Sequence, residues 1–327
     1  FDKAPRKGSG KGLAYWREGG EERILTVTPG YYLVALNARP GLPVEAFGAG
    51  GWVDLQEGLR LGPGREDLDI GLSFPPLVVE DVIIVGASHA LSTRPLAAEN
   101  VKGDIRGFDA RTGKLLWTFH TIPEKNEFGS ETWLGDSASY TGNAGVWAPM
   151  AADPELDMVY LPVETPTGDY YGADRPGDNL FTASIVAIDA HTGEYRWHFQ
   201  QVHHDIWDYD NPTSPILADV RIDGRPREVV VHTPRAADVA TLRAIRAASP
   251  ALQKKWPDGE RPRSWKGVCG NWNQRWKWSG AGGLYCDRVD EAHLLLDRKR
   301  GARKSPRNVT NVMEQGSTLS EETGVEI

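Results

Sequence analysis

Phe108-Asp109-Ala110-Arg111-Thr112-Gly113-Lys114-Leu115-Leu116-Trp117-Thr118-Phe119 recurs as Ile188-Asp189-Ala190-His191-Thr192-Gly193-Glu194-Tyr195-Arg196-Trp197-His198-Phe199, with Asp, Ala, Thr, Gly, Trp and Phe at identical offsets. A decayed third copy, Leu36-Asn37-Ala38-Arg39-Pro40-Gly41, keeps Phe47 at the offset of Phe119 and Phe199. Each copy has the chemistry of strand, turn, strand. The Asx side chain closes the turn on backbone N–H groups, the Gly accepts a positive φ, and the aromatics follow on the next strand. A single copy would be an ordinary hairpin. Repetition predicts the blades of a β-propeller, each Trp docking against the next blade.

Further strands flank these units. Ile24 to Thr28, a Pro-Gly turn and Tyr31 to Leu36 read as a hairpin, and Pro76 to Val79, Val82 to Gly86 and Met158 to Val163 read as strands. The composition agrees: 12 Trp, 36 Gly and 22 Pro in 327 residues suit short strands, aromatic anchors and tight turns rather than helices. No apolar run approaches the ~18 residues of a membrane span. Gly8-Ser9-Gly10-Lys11-Gly12 lacks the spacing of a phosphate loop, and Cys269 and Cys286 have no metal-ligand pattern. The loops at 140–149 and 165–172, rich in Gly, Pro and Asn, are expected to line the mouth of the propeller channel.

The chemistry is concentrated in His203-His204-Asp205-Ile206-Trp207-Asp208-Tyr209-Asp210-Asn211-Pro212. Carboxylates beside large rings suit a group that takes a proton, or binds a hard cation, out of bulk water. The bland alternative is an Asx-turn with a packed tryptophan. Adjacent His203 and His204 diverge along an extended strand, so at most one lines a pocket. Asp169-Tyr170-Tyr171 and Arg175-Pro176-Gly177-Asp178-Asn179 read as loop structure, with the arginine closing a turn on backbone carbonyls.

From Leu13 to Arg235, and most strongly from Val101 to Val220, the chain resembles the pyrroloquinoline quinone (PQQ)-dependent dehydrogenases. The His203-His204-Asp205-Ile206-Trp207-Asp208 form and Arg106-Gly107-Phe108-Asp109 are most similar to their membrane-type glucose dehydrogenase branch, as is the lack of the adjacent-cysteine ring of the alcohol-oxidising branches. The resemblance implies Asp208 as the catalytic base and Trp147, in Gly145-Val146-Trp147-Ala148-Pro149, as the indole stacked on the quinone. It implies Thr165 and Asp208 at the metal, Ca²⁺ or Mg²⁺. Cofactor contacts are implied at Arg235, where the family has a lysine, and at Ser88. The loop around Ser88 reads Ala87-Ser88-His89-Ala90-Leu91, without the family's acidic residue. Arginine keeps the charge but is a wider, planar donor.

The implied reaction is oxidation of a sugar or alcohol hydroxyl, with electrons leaving to a membrane quinone or cytochrome. The implied location is the periplasm, with membrane association through a part N-terminal to Phe1. The rival readings are a non-catalytic propeller scaffold or binding protein, and an inactive truncated remnant. After Val229-Val230-Val231-His232-Thr233-Pro234 the pattern changes to a helix-prone run, 236–248, and then to Trp265, Trp272, Trp276 and Trp278 amid basic residues. Lys and Arg outnumber Asp and Glu there, although the whole chain has net charge −8. Residues 236–327 therefore read as an unrelated or frame-shifted basic, Trp-rich segment without selection for folding. Aromatic and basic residues together can bind nucleic acid, but no such partner is expected here. A ring of about eight four-stranded blades needs far more chain than residues 1–235. The expectation is an all-β fold: a partial quinoprotein propeller over 1–235, a fragment of such a dehydrogenase, with an unassigned C-terminal segment.

Overall fold

The computed structural model describes residues 11–61, 70–89, 98–222, 225–232 and 296–297. Arg235 and nearly all of 236–327 lie outside these residues, so the expectations for them have no structural counterpart here. The chain divides into two compact units, Phe1–Ser214 and Pro215–Ile327.

Unit one holds three four-stranded antiparallel sheets in succession. The first runs β1 (Ala14–Glu18), β2 (Glu21–Val27), β3 (Tyr32–Asn37) and β4 (Trp52–Asp54), in that order. The second comprises β6 (Leu77–Val79), β7 (Val82–Val85), β9 (Ile105–Asp109) and β10 (Leu115–Phe119), while β5 (Ile70–Gly71) and β8 (Ser88–His89) pair with each other. The third is β11 (Ala151–Asp153), β12 (Met158–Val163), β13 (Ser184–Asp189) and β14 (Tyr195–Gln200). In the second unit, β15 (Ile216–Ile222) and β16 (Arg225–Val231) pair from Ile216↔Val231 to Ile222↔Arg225, and β17 (Leu296–Asp297) joins β16.

Side-chain period explains the layering. In β2, Arg23, Leu25 and Val27 are buried at every second position, as in a strand with one covered face. Every residue of β7 is apolar and buried because both of its faces are covered. Ile83 and Val85 enter a core with Leu25, Leu33, Phe47 and Phe108, whereas Val82 and Ile84 enter a second core with Trp117, Leu161 and Ile188. The second sheet is thus packed between the first and the third.

The repeats form matching turns. Asp109 Oδ1 accepts the N–H groups of Arg111 (3.1 Å) and Thr112 (2.6 Å), and Asp189 Oδ1 accepts those of His191 and Thr192, both at 2.9 Å. Gly113 and Gly193 both take positive φ, 73° and 71°. The Trp117 indole lies over Gly193, where an added Cβ would meet its ring at 2.6 Å, and its Nε1 donates to Ala190 O at 3.2 Å. That contact fastens sheet two to sheet three. Trp197 is buried as well and packs on Tyr160.

The third copy departs from expectation. Asn37 Oδ1 accepts the Arg39 N–H and Gly41 has φ 69°, so the turn forms, but Phe47 lies in the loop before β4 rather than on a strand. Its ring meets Gly113 of the next sheet, which is the docking role that Trp117 fills on Gly193. Here β4 begins only at Trp52, so Phe47 reaches its partner from the loop. Arg106 reinforces the same boundary: buried, it donates to Leu55 O (2.7 Å) and Glu57 O (3.0 Å).

Candidate active site

In antiparallel sheets the C-terminal ends of β7, β12 and β14 and the N-terminal ends of β9 and β13 share one edge, and the loops leaving that edge converge. Asn143 bridges both Lys102 and Pro166, and Glu99 bridges Thr141. The approach is close enough to demand glycine: a Cβ on Gly145 would lie 2.5 Å from Ala87 O, and one on Gly103 would lie 2.3 Å from Gly145 Cα. Lys102 is buried below, donating to Ala138 O and Thr141 O, and burial, with Arg60 nearby, lowers its pKa to about 8.

The 203–211 loop is built on Asp205, not on Asp208. Asp205 Oδ1 accepts the Trp207 N–H (2.9 Å) and Oδ2 the Tyr209 N–H (2.7 Å). The turn-closing role weighed for Asp208 therefore belongs to Asp205. Arg175, fully buried, ties this loop to the preceding one by donating to Thr167 O, Gly168 O, Asn179 Oδ1 and Asp205 O. Its expected role in closing a turn on backbone carbonyls is seen directly. Asn211 Nδ2 then pins the loop to Val163 O and Ser184 O, at the ends of β12 and β13.

Asp208 is buried, has a left-handed backbone at φ 57°, and accepts the Tyr170 O–H on Oδ2 at 2.9 Å. Thr165 is buried two strands away in the chain, yet its N–H (3.2 Å) and hydroxyl (3.3 Å) meet Asp210 Oδ1, two residues beyond Asp208. Trp147 is half-buried on the segment 144–148, which runs beside Glu164 and Thr165 through Ala144 N–H to Thr165 O and Glu164 N–H to Gly145 O. Ser88, on β8, is buried and hydrogen-bonded to the Ser73 hydroxyl at 2.9 Å. The two histidines serve the loop: His204 Nδ1 lies 2.8 Å from Gly177 O, and His203 Nδ1 lies 3.3 Å from Asp178.

Glu164, which the sequence did not mark, completes the cluster with Asp169 and His89, read there only as loop residues, and with Asp205. Glu164, next to Thr165, meets the buried His89 imidazole at 2.8 Å, Nδ1 to Oε1. Asp169 is buried, and that burial, with Asp208 and Glu164 adding like charge, pushes it up to about 7 against the pull of Arg175. Burial likewise pushes Asp205 up to about 6, although two backbone N–H groups and Arg175 favour its anion. Glu164, Asp169, Asp205 and Asp208 are all buried, and Asp169 feels the charge of the other three as well as that of Arg175. The loop composition at 164–170 was the only local signal; the neighbours that matter come from β8 and the 203–211 loop.

Propeller-type sheets with a buried acidic site at their loop edge are thus the class the geometry defines. Residues 2–244 match the family described as "PQQ: Glucose/ethanol/alcohol dehydrogenase, beta-propeller domain", and the chain belongs to that family. It is 34% identical over 244 residues to the quinoprotein glucose dehydrogenase of Escherichia coli (strain K12), covering 72% of this chain and 29% of that one. It is also 34% identical to the glycerol dehydrogenase large subunit of Gluconobacter oxydans (strain 621H), covering 82% of this chain and 35% of that one. The crystal structure of quinohemoprotein alcohol dehydrogenase from Comamonas testosteroni superposes with a TM-score of 0.58 at 28% identity, over 72% of this chain and 34% of that one. The fold is an all-β partial propeller of quinoprotein dehydrogenase type, spanning about a third of the length of these relatives.

Proposed function

We propose that this chain carries the acid–base and cofactor-facing part of a PQQ-dependent dehydrogenase that oxidises a sugar or alcohol hydroxyl. The observation that supports this most is Asp208, a buried carboxylate held through Oδ2 by Tyr170 while Asp205 does the structural work of the loop. An aspartate needed only for the turn would not require a second one beside it.

The residues fit the cofactor and its cation. The Trp147 indole is half-buried and meets no other ring or cation among the described residues, which suits a planar molecule laid against it. Thr165 and Asp208 offer hard oxygen donors of the kind that Ca²⁺ and Mg²⁺ take. When bound, PQQ supplies the two-electron acceptor and the divalent cation a Lewis acid. Asp208 takes the hydroxyl proton on its carboxylate, and the Tyr170 hydrogen bond sets where that carboxylate is presented. Ser88 and Arg235 are the further cofactor contacts in this reading. Electrons would pass to a membrane quinone or a cytochrome, and the reaction would take place in the periplasm.

The test is reconstitution of the full chain with PQQ and Ca²⁺, following dye reduction with glucose, glycerol and ethanol. Asp208→Asn keeps the size and a metal-binding oxygen but removes the base, so turnover should fall by about 10²- to 10⁴-fold. Unchanged turnover would sink Asp208 as the base. A folded chain that reduces no dye with any of the three substrates would favour the non-catalytic scaffold.

A further inference from the structure

Glu164 follows the last residue of β12 and precedes Thr165, and it is 7% exposed. Both of its hydrogen bonds fall on one oxygen: His89 Nδ1 at 2.8 Å and the Gly145 N–H at 2.9 Å meet Oε1. Oε2 has no hydrogen-bond partner among the described residues. The Glu164 side chain keeps about 10% of its surface exposed, so Oε2 is open to a ligand that enters the site. His89 shows the same incompleteness, because its imidazole reaches the cluster through Nδ1 while Nε2 is buried without a partner.

Among the described residues, carboxylates outnumber the cationic side chains around the pair. Glu164, Asp169, Asp205 and Asp208 are buried together, and Arg175 distributes its N–H groups over Thr167 O, Gly168 O, Asn179 Oδ1 and Asp205 O. Among the described residues, the partner that meets the Glu164 carboxylate as an ion pair is His89, and no lysine or arginine does so. A divalent cation suits such a cluster of carboxylates, and an all-oxygen donor set selects a hard one.

We propose that Glu164 is a ligand of the divalent cation at this site, through Oε2, and that His89 positions its carboxylate. The assignment rests on the cation reading above for Thr165 and Asp208. It adds a charged ligand from the end of β12, held by His89 of β8.

The test uses Ca²⁺ alone, without PQQ or substrate, so it is independent of catalysis. The full chain, stripped with EDTA, is titrated with Ca²⁺ by calorimetry, and its melting temperature is followed with and without Ca²⁺. The parent should bind one Ca²⁺ per chain and melt higher with it. Glu164→Gln keeps an acceptor for Gly145 N–H, so it should melt as the parent does in EDTA, yet bind Ca²⁺ about tenfold or more weakly. Glu127→Gln, in the exposed His120, Glu124 and Glu127 group, should bind as the parent does. His89→Leu should weaken binding, and His89→Asn, which keeps a donor near the Nδ1 position, should restore most of it. No Ca²⁺ binding by the parent, parent-like binding in Glu164→Gln, or loss of binding in Glu127→Gln would each overturn the proposal, and equal loss in both His89 variants would overturn the positioning role. If Asp208→Asn weakens Ca²⁺ binding while Glu164→Gln does not, the cation site stands and Glu164 is not its ligand. A chain that binds Ca²⁺ through Glu164 but reduces no dye would defeat the catalytic reading alone.

Discussion

Asp189 and Asp205 make nearly the same hydrogen bonds and behave in opposite ways. Each accepts two backbone N–H groups from residues just downstream, at 2.7–2.9 Å. Slight burial works against Asp189, but the Arg196 guanidinium and the turn N–H groups outweigh it and bring the carboxyl down to about 2. Complete burial dominates at Asp205 and lifts it to about 6. Hydrogen bonds to the anion set the titration only where water still solvates the rest of the carboxylate; once the group is buried, desolvation wins. A turn of the same local design is a fastening in one place and part of a charged site in the other.

The largest expected effect is on what holds the two regions. Arg175→Leu should destabilise unit one by about 3–5 kcal/mol, because it leaves Asp205 and several buried carbonyls without their cation. Denaturant unfolding checks this, and a loss below about 1 kcal/mol would show that water replaces the guanidinium and that the loop is less enclosed than described. Trp117→Ala should cost about 3–5 kcal/mol for the opposite reason: it empties an apolar contact on Gly193 without disturbing a charge. The two variants should part at different salt concentrations, with Trp117→Ala nearly indifferent and Arg175→Leu responsive.

A pH series sharpens the contrast. For Asp205, with a folded pKa of about 6, and Asp169, at about 7, folding favours the protonated form. Their contribution is therefore fully present below the unfolded carboxyl value, near 4, and is lost as the pH rises through 6 and 7. In EDTA, stability should rise by about 2 kcal/mol or more as the pH falls from about 8 to about 5. Asp189 runs the other way: its contribution is present above about 4 and disappears as the pH falls towards 2. A flat profile between pH 5 and 8 in the cation-free chain would break the comparison. The smallest effect belongs to Asp189→Ala, which should cost about 1 kcal/mol by equilibrium unfolding and leave the pH 5 to 8 slope unchanged.

Much of the fold was legible in residue order. The Asp-Ala-x-Thr-Gly turns formed where the repeats placed them, Trp117 docked on the neighbouring sheet, and the apolar run Val82 to Val85 became a strand covered on both faces. Phe47 was misplaced because an offset matched by counting does not register where the next strand begins: β4 starts at Trp52, and the ring reaches Gly113 from the loop. The site was legible only as a neighbourhood. Asp208, Trp147 and Thr165 were singled out by family likeness, whereas Glu164, Asp169, Tyr170 and His89 offered no pattern that set them apart from loop residues.

By itself, the order of residues determined the turns, the strands and the docking aromatics, since a turn hydrogen bond or a strand period is satisfied within a few positions of the chain. Only the tertiary structure decided which aspartate closes the 203–211 loop and which is held by Tyr170, and that Glu164 meets a histidine 75 positions earlier. Desolvation and charge pairing depend on everything brought within a few ångströms, and most of that comes from distant parts of the chain.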